Sequence, residues 1–268
     1  MPAISLLQHI AVRHAPFLIA SAVLLAAFQL LICAAVGSVD VSGALETLVH
    51  SLPPLMQEIV SSQLFGGFTP RGLLAFGWSH PVTHALGSAV AIVLATRAVA
   101  GESETGAIEL LMSQPLSRGA YFAAHVVFAL AAIASLSAAG VLGTVIGQGV
   151  FEIERFGPGP LLRLALAYSL LQGAVFGITL LLSAFGREGG RVASGGFLIV
   201  LISYFGEAIG RLWNKAAFIR PWTLHEYFPP NDILVRGLGI AKPAVVLGSV
   251  LAASLALAWA RFRTRDVP

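Results

Sequence analysis

Six long apolar stretches, separated by shorter polar stretches, dominate the hydropathy pattern of this chain. Each stretch has close to the ~20 residues that an α-helix needs to cross the ~30 Å hydrocarbon core of a bilayer. Because lipid offers the backbone no hydrogen-bond partner, apolar segments of this length are predicted to be helices. The predicted spans cover residues 16–36, 82–100, 121–146, 161–185, 192–209 and 243–260.

Two of these stretches need a choice between alternatives. The first follows Arg13 and His14 and resembles a signal peptide, but its run of roughly 20 apolar residues suits a span better than a signal's apolar core of about 7–15. The fifth is the shortest, because Glu207 and Arg211 limit its end. We interpret both as membrane spans.

The composition supports a membrane-embedded fold. Of the 268 residues, 57% are hydrophobic and only 11% are charged, whereas soluble domains carry about 25% charged residues. So few polar residues cannot cover a soluble domain of this length, and we predict an all-α polytopic membrane protein with a single transmembrane domain. Its net charge of +3 is ordinary for proteins whose basic residues lie beside the cytoplasmic leaflet, so no nucleic-acid partner is indicated.

The loops form two alternating sets, which predict the orientation. The first set comprises the N-terminus and residues 101–118, 187–191 and 261–268; the second comprises residues 37–80, 147–160 and 210–242. Each set, with its flanks, carries eight Lys and Arg residues, but the first is much shorter and therefore denser in positive charge. Short basic loops stay in the cytoplasm, so we expect a multi-pass protein of the inner, cytoplasmic membrane with both termini inside.

The two long loops of the second set carry patterns of their own. Residues 37–80 contain two apolar stripes at helical spacing between Pro53-Pro54 and Gly66-Gly67, which predict an amphipathic helix, either lying on the outer leaflet or folded against the bundle. The stripes contain Leu55, Ile59, Met56, Val60 and Leu64. Residues 210–242 combine aromatic residues with prolines and are predicted to form a partly structured outer cap.

Residues 101–118 form a short polar and amphipathic patch between the second and third predicted spans. As a helix over residues 103–113, this patch would place Ile108, Leu111 and Met112 on one face. Three of the 13 acidic residues of the chain lie within eight positions here, namely Glu102, Glu104 and Glu109. Pro115 would end the helix, and Arg118 would mark the return to the membrane.

The same patch resembles a loop in the permease subunits of ABC-2 type transporters. That family commonly shows an acidic pair, Gly-Thr-Leu/Ile-Glu-Leu-Leu-Leu, a small residue, Pro and Ser-Arg at this place. The residues that match are Glu102, Glu104, Gly106, Ile108, Glu109, Leu110, Leu111, Pro115, Ser117 and Arg118. Ala107 and Met112 stand where the family usually has Thr and Leu.

The resemblance implies a coupling helix that docks in a groove of a separate ATPase subunit. Ile108, Leu111 and Met112 would pack into the groove, and Glu102, Glu104 and Glu109 would meet basic residues at its rim. The turn at residues 187–191 would face the same partner. ATP and Mg²⁺ would bind to that subunit, because this chain contains no Gly-x-x-x-x-Gly-Lys-Ser/Thr string. The chain itself is therefore expected to be no enzyme and to hold no cofactor or metal, and to work as a homodimer that exports a substrate.

A few polar residues inside the spans are candidates for a substrate route, because polar groups avoid lipid. Gln29 and Gln172 are the strongest, and Glu207 near the end of the fifth span is the acidic candidate, although it could equally pair with Arg211. The motifs Gly143-x-x-x-Gly147 and Gly173-x-x-x-Gly177 allow close helix packing, within one subunit or between two.

The other residues that could form a disulfide, a metal site or a catalytic nucleophile give only weak indications of function. The lone Cys33 excludes an internal disulfide and a cysteine-based metal site. His80 and His84 have metal-like spacing, but Pro81 lies between them and no third ligand is near in sequence. Ser194 lacks the Gly-x-Ser-x-Gly pattern of a hydrolase nucleophile.

Two alternative functions remain open. A related membrane subunit could transmit ATP-driven motion to an extracytoplasmic partner, for example one that serves metal-centre maturation, without exporting a cargo. A polytopic membrane enzyme is the other alternative, although no acid, base and nucleophile converge in the sequence.

Overall fold

The computed structural model describes residues 3–38, 50–54, 57, 69–108 and 116–265 of the chain. Its helices are α1 (Ala3–Ser38), α2 (Pro70–Ser79), α3 (Pro81–Thr96), α4 (Arg118–Val150), α5 (Pro158–Phe185), α6 (Gly189–Leu212), α7 (Pro230–Leu234) and α8 (Ala241–Arg263). A π-helical segment, Arg97–Gly101, and a helical turn, Glu102–Glu104, continue α3. Two 3₁₀ segments, Asn214–Trp222 and His225–Tyr227, precede α7.

Within these residues, six helical segments are long and apolar enough to cross a bilayer, and none of the described residues forms a strand. The prediction of an all-α polytopic membrane protein is therefore confirmed. The second segment begins at Pro70 rather than at residue 82. It is two helices in series, because His80 adopts an extended conformation before Pro81 and its Nδ1 then caps α3 by accepting a hydrogen bond from the Val82 amide at 3.2 Å.

Helices α3 and α5 form the centre of the bundle. In the most apolar part of each of these two spans 67% of the residues are buried, compared with 22% for α1, α6 and α8. Helix α1 packs chiefly on α4, α8 packs on α5, and α6 packs on both central helices. The outer helices therefore present most of their apolar surface outward, as expected for a fold whose solvent is lipid.

Helix α1 carries apolar side chains both toward the interior of the bundle and toward the surrounding lipid. Its buried side chains include Leu6, Ile10, Leu25 and Cys33, and the last two lie against Gly140 and Gly147 of α4. The same helix exposes Val12, Ile19, Val23, Leu24 and Leu31. These exposed apolar side chains fit the hydrocarbon of a bilayer.

The small-residue motifs pack helices within the subunit. A Cβ atom at Gly143 would lie 2.2 Å from the Ala26 carbonyl oxygen of α1, and one at Gly147 would lie 2.5 Å from Cys33 Cβ. Gly173 and Gly177 lie against Leu251 of α8. The sequence left open whether these glycines pack helices within one subunit or between two. In this structure all four pack helices within the subunit.

The loops differ in how much the structure describes. The residues of the two predicted stripes, Leu55, Met56, Ile59, Val60 and Leu64, lie outside the described residues. Residues 213–235 form an ordered cap of 3₁₀ and α-helical segments. We call this end of the bundle the Trp222 end, and the opposite end, with residues 97–108, 116–118, 183–191 and 261–265, the Arg118 end.

Candidate functional site

The Arg118 end is built around an interruption of the third helix. In a regular α-helix the Ala100 amide would donate to the Thr96 carbonyl. Here residues 97–101 are π-helical, and the Ser183 hydroxyl of α5 stands between the two groups: its oxygen accepts from the Ala100 amide at 2.9 Å and it donates to the Thr96 carbonyl at 3.2 Å. Tyr121 of α4 donates to the Ala98 carbonyl at 2.7 Å. Such π-helical turns are rare and frequently lie at functional sites.

Glu102, directly after the π-helical segment, is paired inside the subunit. It is buried, and its carboxylate forms an ion pair with Arg13 of α1. A buried carboxylate requires such a partner, because an unpaired charge away from water is costly. The expected position of Glu102 on an exposed acidic edge therefore differs from the structure, where this side chain joins α1 to the 97–108 segment.

Glu104 also faces its own subunit. Its Oε2 accepts a hydrogen bond at 2.7 Å from the amide of Gly189, the first residue of α6. The amides at the start of a helix lack partners within the helix and carry partial positive charge, so a carboxylate is well placed there. Glu104 thus ties the segment to α6.

Arg265 connects the same segment to the chain beyond α8. Its guanidinium donates to Ser103 Oγ at 3.2 Å and to the carbonyls of Ser183, Ala184 and Gly186 at 2.8–3.3 Å. Burial lowers the pKa of Arg265 from its ordinary value, with smaller contributions from the cations of Arg187 and Arg261. The hydrogen bonds satisfy carbonyls at the end of α5 that have no partner within that helix.

Gly106 ends the regular helix that begins the patch. Its φ of +72° lies in the left-handed region, which glycine adopts without steric cost. Thr105 and Gly106 form a turn, and the helical conformation resumes at residues 107–108. The prediction of one continuous helix over residues 103–113 is therefore wrong at this turn. Beyond it, Ile108 is 3% exposed and belongs to the hydrophobic core cluster of the bundle.

The remaining predicted coupling residues have separate outcomes. Glu109, Leu111, Met112 and Pro115 lie outside the described residues. Arg118 starts α4 and donates to the carbonyls of Phe262, Arg263 and Arg265 at 2.6–3.3 Å. Arg118 therefore holds the end of α8 beside the start of α4.

The residues predicted for a substrate route lie apart from one another. Gln29 is buried between α1 and the second span, where it donates to Thr83 Oγ1 at 3.1 Å. Gln172 is buried in α5 and accepts from Ser88 at 3.2 Å. Glu207 forms an ion pair with Arg211 and lines a cavity at the Trp222 end. The structure thus brings Gln29 and Gln172 into helix packing and Glu207 into a cavity.

Several residues of the Arg118 end were missed by sequence reasoning. Arg13, Ser183, Gly189 and Arg265 each bond to the 97–108 segment from distant points in the chain. The sequence pattern identified Arg13 and Arg265 only as basic residues of the first loop set, and Ser183 only as a polar residue within a span. Their partners in the segment are 83 or more residues away, and no local pattern indicates pairing at that separation.

Comparison with known proteins bears on the whole chain. The model of the family described as "ABC-2 family transporter protein" matches residues 10–267. No individually curated protein sequence matches the chain. The family match includes the second to sixth spans, all of the first span from residue 10 onward, and the entire Arg118 end.

Proposed function

The chain belongs to the ABC-2 family of transporter proteins, and from this premise we propose that it couples ATP hydrolysis by a separate ATPase to export. Membership makes it a multi-pass permease subunit of an ABC transporter, which implies an ABC ATPase partner. The proposal adds that residues 102–118 dock on that ATPase and that two copies of the chain work with two ATPase subunits. It also places the protein in the cell (inner) membrane, with the Arg118 end and both termini on the cytoplasmic side.

The observation that carries the proposal is the set of ties between the 97–108 segment and three other spans. Arg13 joins Glu102 to α1, the Gly189 amide joins Glu104 to α6, and Arg265 joins Ser103 to the end of α8. A force applied to the segment would therefore be passed to several spans at once. Closure of an attached ATPase would bias the bundle between two arrangements, provided that the ATPase binds them with different affinity.

The chemical part of the cycle belongs to the partner in this proposal. ATP and Mg²⁺ bind in the ATPase, and this chain contributes no catalytic residue, cofactor or metal site. The apolar residues Ile108, Leu111 and Met112 were assigned to the docking face by sequence. Ile108 is already buried in the bundle, so we assign docking to Leu111 and Met112 and give Ile108 the role of anchoring the segment.

The test is co-purification in mild detergent with the ATPase expressed alongside. Glu109→Arg reverses a charge at the rim of the proposed docking face, and Leu111→Asp adds a charge within that face. Leu238→Asp is the matched control, because Leu238 is 51% exposed and lies at the Trp222 end. We expect the ATPase to copurify with the wild type and with the control, and to be lost from the double variant. Retention of the ATPase by a folded double variant would refute docking through this segment.

Transmission of motion to an extracytoplasmic partner is the second candidate. It is favoured by aromatic side chains that the cap at the Trp222 end leaves exposed: Trp222 is 88% exposed and Phe218 72%. Aromatic residues are enriched in the cores of protein interfaces, and a membrane interface also attracts them. A stable complex with an outer protein that is lost in Trp222→Ser would favour this candidate, whereas ATPase stimulation by a lipid or hydrophobic drug would favour export.

A further inference from the structure

A polar cavity lies at the Trp222 end, where α6, the cap and the second span meet. Its volume is about 350 Å³. Its wall includes His84, Tyr204, Glu207, Arg211, His225 and Asn231. The cavity is thus large enough for a small solute and is lined by side chains that form hydrogen bonds.

Unpartnered polar atoms are concentrated in this wall. In the part of the chain that the structure describes, His84 Nδ1, His225 Nε2 and both amide atoms of Asn231 are buried and have no hydrogen-bond partner. The residues His84 and His225 are only 6% and 5% exposed. Buried polar atoms are nearly always hydrogen-bonded, so these groups indicate that the cavity takes a polar occupant.

The hydrogen-bond network defines what His225 offers to that occupant. Ser203 Oγ accepts from the amides of Leu224 at 2.8 Å and His225 at 3.2 Å, so its own hydrogen is directed to His225 Nδ1 at 2.7 Å. The Nδ1 atom is therefore an acceptor, and in the neutral ring Nε2 carries the hydrogen. Burial lowers the pKa of His225 to about 4, which agrees with a neutral ring. His225 thus presents a single N–H donor.

The charges around the cavity balance. Arg211 pairs with Glu207, Arg220 pairs with Glu226 at 2.9 Å, and Arg236 pairs with Asp232 at 3.0 Å. Five of these six residues line the cavity, and the sixth, Glu226, bonds to Arg220 of the lining. An occupant with a net charge would leave one sign uncompensated, so the wall favours a molecule that is neutral overall.

We propose that this cavity binds a small zwitterion of the amino-acid type. The carboxylate would accept hydrogen bonds from His225 Nε2–H and the Asn231 amide nitrogen, and the ammonium group would donate to Asn231 Oδ1 and the Glu207 carboxylate. The rings of Tyr204 and Phe228 form an apolar part of the wall that suits a short side chain. Binding needs neither ATP nor the ATPase, so the proposal goes beyond the coupling function and is tested separately from it.

The experiment measures binding to the purified full chain in detergent by saturation-transfer NMR and thermal stabilisation. The probes are the twenty standard amino acids, with acetate and glycerol as anionic and uncharged comparison solutes. Asn231→Leu removes both amide atoms at similar size. Asn214→Leu is the matched control, because Asn214 is an exposed residue of the same type at the same end. We expect at least one amino acid to bind saturably, with affinity at least tenfold weaker in Asn231→Leu and unchanged in Asn214→Leu.

Three results would overturn the proposal: no amino acid binds saturably, acetate or glycerol binds as tightly as the best amino acid, or Asn231→Leu binds as the wild type does. The first of these would mean that the cavity is not an amino-acid site. If Asn231→Leu does not fold, Asn231→Asp keeps the shape of the side chain and replaces the amide with a charge that repels a carboxylate. It is expected to weaken binding to the same degree, and unchanged binding by this variant would equally refute the site.

Discussion

At the scale of single residues, glycines determine how closely α1 and α4 approach each other. A Cβ at Gly143 would lie 2.2 Å from a backbone oxygen of α1, which cannot move aside as a flexible side chain could. Gly143→Ala is therefore expected to lower the free energy of unfolding by about 1–3 kcal/mol, as overpacked cores do. Thermal unfolding in detergent, followed by tryptophan fluorescence, measures the change.

Gly248→Ala is the control for this prediction. Gly248 lies within α8, and a Cβ there would meet no atom within 4 Å. Alanine also has the higher helix propensity, so no loss of stability is expected. Equal melting temperatures for Gly143→Ala and the wild type would show that the two helices are not in the contact described here.

His225 makes stability depend on pH. Its pKa is lowered to about 4 in the fold because it is buried, whereas the unfolded chain titrates near 6.5. Between these values the unfolded state binds more protons. The contribution of the neutral His225 ring to the free energy of unfolding is therefore fully present above about pH 6.5 and is lost as the pH is lowered to about 4. The loss amounts to about 3 kcal/mol. Thermal unfolding from pH 8 to pH 4 measures it.

The comparison variant for this titration is His225→Asn, whose side chain can still accept the hydrogen bond from Ser203. It removes the titrating ring, so a smaller part of the stability is expected to be lost between pH 6.5 and pH 4 than in the wild type. Parallel pH profiles for the two proteins would assign the acid sensitivity to other groups.

The residue scale also shows where sequence reasoning stops. The spacing of Gly143 and Gly147 indicates close packing, but nothing local to these residues identifies α1 as the partner helix. The acidic residues at 102 and 104 were recognised, yet their partners, Arg13 and the Gly189 amide, lie 89 and 85 residues away. Charge pattern alone placed these carboxylates on an outer edge, because it does not reveal which charges a fold buries.

At the scale of elements, the π-helical segment depends on one hydroxyl from another helix. Ser183→Ala would leave the Ala100 amide and the Thr96 carbonyl without the group that now bonds to both. Unpaired buried groups of this kind cost about 1–3 kcal/mol. We therefore expect a lower melting temperature and faster hydrogen exchange in the peptide that covers residues 97–104.

Ser194→Ala is the matched control for this element. Ser194 is exposed in α6 and donates to the carbonyl of Gly190, four residues earlier in its own helix, an interaction that contributes little to stability. Its exchange pattern over residues 97–104 is expected to equal that of the wild type. The same pattern in Ser183→Ala would mean that the π-helical segment is maintained by α3 itself.

The sequence predicted the number and type of the membrane-spanning helices, but not where the second span begins or that it contains a π-helical turn. Hydropathy identified six spans because lipid requires long apolar helices. It did not indicate that the second span begins at Pro70, since Arg71, Gly72 and Ser79 dilute the apolar character there. A π-helical turn has no sequence signature of its own; here it exists because Ser183 and Tyr121 supply partners from neighbouring helices.

At the scale of the whole molecule, the orientation of the bundle is open to a direct test. The proposal places the Arg118 end in the cytoplasm, because its loops concentrate Arg residues in short segments. Gly190→Cys introduces a thiol at that end, at an exposed position with no atom within 4 Å of the new Cβ. Trp222→Cys introduces one at the opposite end, at a residue that is 88% exposed.

A membrane-impermeant maleimide applied to sealed right-side-out vesicles is expected to label Trp222→Cys at once and Gly190→Cys only after the membrane is permeabilised. The native thiol provides the control, because Cys33 is fully buried against α4 and is expected to stay unlabelled in both conditions. The reverse labelling order would mean that the protein has the opposite orientation in the membrane. It would place residues 102–118 outside, where no ATP-driven subunit could reach them, so the coupling proposal would fail together with the orientation.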